Sequence, residues 1–193
     1  MTDYFALLDE PRRPWLDAEP LKQKFLALSA DAHPDRVHGA TAQEKKSANE
    51  RYMQLNAAYQ CLINPRDRVR HLVELELGRK PDDLDRVPDE LMDSFMSVAE
   101  ILREADKFLR EKEKTVSPLL QVRLFERAQT FVERLGEIEK SVAASREKAI
   151  RKLQALNDSE TLPLQRLEEI YRLLGYYDRW LRQIQERRVR LSI

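Results

Sequence analysis

The sequence predicts an all-α protein with an N-terminal helical hairpin followed by a C-terminal antiparallel three-helix bundle. Apolar residues recur three and four positions apart through most of the chain, the spacing that places them on one face of an α-helix. The 193 residues include only 4 glycines, and 35% are charged, a composition that favours long helices over sheets. Polar or proline-containing breaks separate the periodic segments.

The first long helix is expected to begin after Asp17, whose carboxylate can accept hydrogen bonds from the free N–H groups of the first turn. Its apolar face consists of Leu21, Phe25, Leu28 and Ala32. Pro34 ends this helix, because proline has no N–H and its ring disfavours helical dihedral angles at His33. We therefore expect His33 and Asp35 on a loop.

The second long helix is expected to begin at Thr41, which is followed at capping-box spacing by Glu44. Its apolar face consists of Ala48, Tyr52, Leu55, Tyr59 and Leu62. Two helices of similar length joined by a short loop pack antiparallel as a hairpin.

A change of organisation is predicted between Gly78 and Pro88. Gly78 is typical of a helix C-terminus, and the run after it is polar and rich in turn-forming residues. The sequence thus predicts an N-terminal domain at 1–78, a linker at 79–88 and a C-terminal bundle at 89–193.

Three amphipathic segments predict the bundle. The first carries Leu91, Phe95, Val98, Leu102, Ala105 and Leu109. The second, with Ser117 as cap and Pro118 as its first helical residue, carries Phe125, Ala128, Val132, Leu135, Val142, Ala149, Leu153 and Leu156. The third carries Leu167, Ile170, Leu174, Tyr177, Leu181 and Ile184. Because the connections are short, successive helices are expected to be antiparallel.

One arrangement of motifs resembles the J-domain family. It comprises Tyr4-Phe5 in a short first helix, the loop sequence His33-Pro34-Asp35-Arg36, the segment Leu55-Asn56-Ala57-Ala58-Tyr59 and the segment Asn64-Pro65-Arg66-Asp67-Arg68. The early Asp3-Tyr4-Phe5, the short helical C-terminal region and the absence of repeated Cys-x-x-Cys units make the whole chain similar to the HscB family of co-chaperones in iron–sulfur cluster assembly.

The resemblance implies that the hairpin docks on a DnaK- or HscA-type chaperone ATPase and stimulates its ATP hydrolysis. The Asp35 carboxylate suits this role because it can accept paired hydrogen bonds from an arginine. Pro34 restricts the loop and so reduces the entropy lost on docking, and His33 can donate to a partner carbonyl or pack against the loop. Three neighbouring cations can steer an acidic partner surface: Lys22, Lys24 and Arg36.

The resemblance also implies that the first bundle helix binds an IscU-type iron–sulfur scaffold. The candidate residues are Leu91, Met92, Phe95 and Met96. They supply more apolar surface than one core-facing stripe needs, and methionine adapts to a partner surface. In one alternative these side chains only widen the core or cover the J-domain. In another, the bundle recognises a different client or serves as an adaptor.

Composition and spacing argue against several other classes of protein. Lys plus Arg and Asp plus Glu number 34 each, so no overall field attracts nucleic acid or anionic lipid. No signal-peptide pattern and no apolar run near the ~18 residues of a membrane span occur, so we expect a cytoplasmic protein. We expect no cofactor and no enzyme activity, because no phosphate-binding loop or nucleophile motif occurs.

Two residue clusters might suggest further sites. His33, His38 and Cys61 lack the spacing of metal ligands, so no metal site is expected. The C-terminal helix carries Arg179, Arg182, Arg187, Arg188 and Arg190. Cations near a helix C-terminus are favoured by the helix dipole, and no aromatic stacking platform accompanies them, so nucleic-acid binding is not expected.

Overall fold

The computed structural model of the chain is all-α, and among the residues that it describes there is no strand. It describes residues 1–32, 41–81, 87–115, 118–157, 159 and 161–192, with backbone alone at 118 and 119. The helices are α1 (Tyr4–Leu7), α2 (Ala18–Asp31), α3 (Ala42–Ile63), α4 (Pro65–Leu77), α5 (Met92–Lys114), α6 (Pro118–Ala155) and α7 (Leu164–Ser192). A 3-10 turn at Asp89–Leu91 directly precedes α5. The predicted fold class is confirmed.

None of the described helices combines the length and the apolar content that crossing a bilayer requires.

The chain forms two compact units. The first contains Met1–Asp82 and Ile150–Tyr171, and the second contains Asp83–Ala149 and Arg172–Ile193. Helices α6 and α7 each contribute to both units, so no single cut of the chain separates them. The domain boundaries expected from the sequence, at 78 and 89, stay a prediction.

Side-chain caps define the predicted helix ends. Asp17 accepts a hydrogen bond from the Glu19 N–H at 3.1 Å, as expected. Thr41 and Glu44 form the predicted capping box, in which each side chain bonds to the other residue's backbone. Gly78 ends α4 in the left-handed region at φ +67°, where a side chain would be strained. The predicted cap Ser117 lies outside the described residues.

Helices α2 and α3 pack antiparallel, as predicted. The rings of Phe25 and Tyr59 stack with their centroids 4.3 Å apart. At the other end of the hairpin, Leu28 and Ala32 from the end of α2 line one groove with Ala48 from the start of α3. The core of this unit includes Phe5, Leu8, Leu21, Leu55, Ala58, Leu62, Val69, Leu72, Val73, Leu153, Leu167 and Ile170.

Arg68 is a buried cation whose partners are backbone carbonyls. Its Nε donates to the Pro14 carbonyl at 2.9 Å and its Nη1 donates to the Leu62 carbonyl at 2.5 Å. Burial lowers its pKa to about 10, so the guanidinium remains charged at neutral pH. Arg68 thus joins the segment before α2 to the end of α3.

The segment Ile150–Tyr171 adds both buried apolar side chains and polar contacts to the first unit. Asn157 binds the backbone of Trp15 twice, because its Oδ1 accepts the N–H at 3.0 Å and its Nδ2 donates to the carbonyl at 3.0 Å. The Arg66 guanidinium lies 4.5 Å from the centre of the Tyr171 ring and donates to its hydroxyl at 3.2 Å. The start of α7 is therefore held against α4.

The second unit is the predicted antiparallel three-helix bundle. Ion pairs of 2.7 Å join α5 to α6, between Glu104 and Arg134 and between Glu111 and Arg127. A 2.7 Å pair between Arg146 and Asp178 joins α6 to α7, and a second pair between Glu139 and Arg188 joins the same helices. In both cases residue numbers rise along one helix as they fall along the other, so neighbouring helices run in opposite directions.

One part of the predicted α6 stripe is wrong. Phe125 was expected in the core, but 71% of it is exposed, and the preceding residue Leu124 is buried instead. Leu124 and Phe125 are adjacent apolar residues, and either fits a helical repeat with Ala128. Only one of these two residues can face the core, and the packing of α5 against α6 determines which one does.

His71 is a buried histidine that holds the start of α1. Its Nε2 accepts the N–H of Tyr4 at 3.1 Å, and its ring stacks on the rings of Tyr4 and Phe5 at 4.6 Å and 5.8 Å. Accepting this hydrogen bond requires the neutral imidazole. Burial lowers the pKa of His71, although the carboxylates of Asp3 and Glu74 oppose the shift.

We predict that acidification weakens the fold through His71. As pH falls through about 6.5, the unfolded chain binds a proton that the folded chain resists, so the free energy of unfolding decreases. Above about pH 7.5 both states are neutral and His71 contributes no pH dependence. Urea unfolding at pH 7.5 and 5.5 measures this loss. His71→Gln keeps an acceptor for Tyr4, so its loss over this range is expected to be smaller; an equal loss would contradict the prediction.

Candidate partner-binding surfaces

The predicted chaperone-docking loop is framed by two well-defined helix ends. His33, Pro34, Asp35 and Arg36 lie outside the described residues. On one side, α2 ends at Asp31, and the N–H of Ala32 donates to the Leu28 carbonyl at 3.2 Å. On the other side, the Thr41 capping box starts α3. The antiparallel packing of α2 and α3 therefore brings the two ends of the loop together.

Lys24, a predicted steering cation, is bound within the first unit. Its ammonium lies 2.9 Å from the Glu10 carboxylate and donates to the Asp9 carbonyl at 2.6 Å. Asp9 adopts the left-handed region at φ +52°, which turns the chain after α1 and directs this carbonyl toward α2. The Lys24 charge is thus compensated locally, and sequence reasoning missed its partner because Glu10 lies in a loop.

Lys22 has a different environment from Lys24. It is exposed on α2, and among the described residues no carboxylate forms an ion pair with it. Leu26 is exposed one turn later on the same face. The exposed face of α2 next to the predicted loop thus carries one cation and one apolar side chain, which we call the α2 face.

The predicted scaffold-binding residues separate into core and surface. Leu91 is only 2% exposed, so including it in a partner-binding surface was wrong. The 3-10 turn before α5 directs Leu91 into the core, and the sequence cannot distinguish this from exposure because both fit the same spacing. Phe95 is half-buried, with its ring 6.5 Å from the Trp180 ring. Met92 and Met96 remain exposed at 44% and 57%, and we call this pair the α5 patch.

Acidic residues border the α5 patch. Glu100 follows Met96 by one turn on the same side of α5, and Asp93 is exposed beside Met92. Next to it, Ser97, Glu100 and Ile101 line a cleft of about 200 Å³ with Arg134, Glu137 and Ile138 of α6. The second unit thus presents flexible apolar side chains with a carboxylate rim.

Cys61 has the environment of a structural thiol. Burial, assisted by the charge of Asp67, raises its pKa to about 11, and its Sγ lies 3.5 Å from the Asp67 carbonyl. The thiolate that a metal or a nucleophilic reaction requires is therefore disfavoured at neutral pH. Within the described part of the chain, His, Cys, Asp and Glu side chains form no group suited to a metal ion. His33 and His38 lie outside that part.

Most of the basic residues at the end of α7 stabilise the bundle. Arg187 binds Asp106 at 3.1 Å, Arg190 binds Glu113 at 3.0 Å, and Arg188 binds Glu139. Arg179 lies 5.9 Å from the Tyr176 ring centre, and Arg182 is exposed. The carboxylate partners lie on α5 and α6, so these ion pairs can be assigned only when the register of the three helices is known.

No family model matches the chain. It is 31% identical over 104 residues to the co-chaperone protein HscB homolog of Chromobacterium violaceum, covering 53% of this chain and 59% of that protein. It is 36% identical over 72 residues to the HscB homolog of Bordetella avium, covering 37% and 43%. It is 34% identical over 74 residues to the HscB of Proteus mirabilis, covering 38% and 43%. The chain thus matches about half the length of these relatives.

Solved structures show the same fold over nearly the whole chain. The chaperone HscB from Vibrio cholerae matches with a TM-score of 0.67 and 21% identity, covering 96% of each chain. The human co-chaperone protein HscB matches with a TM-score of 0.69 and 20% identity, covering 96% of this chain and 82% of that one. The resemblance to HscB co-chaperones predicted from the sequence is confirmed.

We predict that Lys24 contributes to stability. Lys24→Met keeps the aliphatic stem but removes the ion pair with Glu10 and the hydrogen bond to Asp9, so the free energy of unfolding should fall by about 1 kcal/mol in urea titration. The matched change Lys22→Met, at an exposed position of the same helix, should cost less than about 0.5 kcal/mol. A loss as large for Lys22→Met would contradict this assignment.

Proposed function

We propose that this chain is a J-type co-chaperone of iron–sulfur cluster assembly. It stimulates the ATPase of a DnaK- or HscA-type chaperone and delivers an IscU-type scaffold to it. The observation that carries the proposal is the sequence His33-Pro34-Asp35 between the facing ends of the antiparallel helices α2 and α3. The similarity to proteins named HscB co-chaperones supports the same role.

The hairpin supplies the contact with the ATPase. An Asp35 carboxylate can bind an arginine of the ATPase through two parallel hydrogen bonds, a strong and directional contact. The α2 face lies on the helix that leads into this loop, so Lys22 can attract an acidic surface while Leu26 adds an apolar contact. Hydrolysis then takes place in the chaperone, and this chain acts by binding.

The α5 patch supplies the contact with the scaffold. Met92 and Met96 are unbranched and polarizable, so they adjust to an apolar surface of a partner at low cost. The neighbouring Asp93 and Glu100 favour a partner with cations around that apolar surface. Phe95 supports the patch from below through its contact with Trp180.

Two residues of the loop, His33 and Asp35, are expected to be essential for stimulating the ATPase. Asp35→Asn and His33→Gln should abolish stimulation of the cognate ATPase in single-turnover assays, because both remove groups that bind it. Glu50→Gln, a neutralised exposed carboxylate on α3, should leave stimulation unchanged. Circular dichroism checks that each variant is folded. Full stimulation by folded Asp35→Asn would contradict the proposed mechanism.

The exposed methionines of the α5 patch are expected to contribute to scaffold binding. Calorimetric titration of an IscU-type scaffold from the same organism should show affinity for Met92→Ala/Met96→Ala lowered by about tenfold, or about 1.4 kcal/mol. Both methionines are exposed, so the melting temperature of the double variant should match that of the wild type. Truncating Phe95 would also disturb the bundle, because its ring lies close to that of Trp180. Met53→Ala removes a 63% exposed methionine of α3 and should bind normally. If the wild type binds no scaffold, the client belongs to another class.

A further inference from the structure

A small cleft lies between α5 and α6 in the second unit, next to the α5 patch. Its volume is about 200 Å³, and its lining residues are Ser97, Glu100, Ile101, Arg134, Glu137 and Ile138. Pockets that hold small molecules are larger, at roughly 300–1,000 Å³. The cleft therefore has the size to receive one long side chain of a partner protein.

The lining combines aliphatic and acidic side chains. Ile101 is buried and Ile138 is half-buried, whereas Glu100 and Glu137 are exposed. A long cationic side chain has the matching chemistry, because its aliphatic stem can pack on apolar surface while its charged end stays in a polar environment. The two isoleucines suit the stem and the two carboxylates suit the charged end.

The cleft carries an excess of negative charge. Arg134, the basic residue in its lining, already binds Glu104 at 2.7 Å and lies 5.6 Å from the centre of the Phe131 ring. Glu100 and Glu137 form no ion pair with any residue that the structure describes. These two carboxylates therefore line the cleft with no described cation of this chain bound to them.

The cleft is continuous with the α5 patch. At about 3.6 residues per turn, Glu100 lies about 40° around α5 from Met96, and Ser97 lies about 60° farther in the same direction. Glu100 thus lies between the exposed methionines and the cleft. A partner that packs on Met92 and Met96 can therefore place a neighbouring side chain in the cleft.

Other occupants fit this lining less well. Hard metal ions take six or more oxygen ligands, and within the described part of the chain no group of three potential ligands occurs. An anionic side chain would meet Glu100 and Glu137 with like charge. The charge of the lining therefore favours a cationic side chain.

We propose that Glu137 of α6, together with Glu100, binds an arginine or lysine side chain of the partner that packs on the α5 patch. The charged end lies between the two carboxylates, and the stem packs on Ile101 and Ile138. This role of Glu137 rests on the proposed function, because the partner is the IscU-type scaffold. Helix α6 thereby contributes to specificity, since a scaffold surface that lacks the cation binds less tightly.

The test is calorimetric titration of the scaffold into the full chain at several salt concentrations. Glu137→Gln should lower the affinity about threefold, Glu100→Gln/Glu137→Gln should lower it about tenfold, and both should weaken its salt dependence. Glu126→Gln removes an exposed carboxylate of α6 outside the cleft and should bind like the wild type. All three carboxylates are exposed, so the melting temperatures of these variants should match that of the wild type.

A double-mutant cycle then identifies the cation of the scaffold. Each exposed arginine or lysine of the scaffold is replaced by methionine and titrated into the wild type and Glu137→Gln. One replacement should lower the affinity for the wild type but not for Glu137→Gln.

Three results would overturn this role of Glu137 and leave the proposed function in place. They are unchanged affinity of folded Glu137→Gln, an equal loss for Glu126→Gln, and the absence of any scaffold cation that couples to Glu137. A wild type that binds no scaffold would overturn both the role of Glu137 and the proposed scaffold function.

Discussion

The first unit depends on a buried guanidinium whose hydrogen-bond partners among the described residues are backbone carbonyls. Arg68 donates to carbonyls of Pro14 and Leu62, which belong to two segments far apart in the sequence. Burying a carbonyl without a hydrogen-bond donor costs free energy, and so does burying a charge without hydrogen bonds. The hydrogen bonds from Arg68 to the two carbonyls reduce both costs. The result fixes the segment that leads into α2 relative to the end of α3. These are the two helices that frame the proposed docking loop.

The second unit depends on a different constraint, the register of three long helices. Their apolar stripes form the core, but a stripe alone permits sliding by a turn. Ion pairs such as Glu104–Arg134 and Arg146–Asp178 match only in one register. Each exposed pair adds little free energy, and their contribution is to disfavour registers in which like charges meet.

The proposed partner-binding surface of the second unit lies where an apolar side chain falls just outside these packed stripes. Leu91 is in the core and Met92 is outside it, and the same holds for Leu124 and Phe125. In both pairs the second residue extends the helix surface with an apolar group that the bundle does not need for its own packing. The carboxylates of Asp93 and Glu100 lie beside Met92 and Met96 and add charge to this apolar surface.

The sequence by itself determined the all-α class, the caps at Asp17, Thr41 and Gly78, the antiparallel order of the helices and the resemblance to HscB co-chaperones. These follow from local chemistry and from periodicity, which act within a few residues of each other. Only the tertiary structure decided that Leu91 and Leu124 are buried while Phe125 is exposed, because neighbouring apolar positions fit the same period. It also decided that Glu10 binds Lys24 and that Asp106 binds Arg187. Such pairs join residues whose separation along the chain carries no signal, and they exist only once the helices have packed in one register.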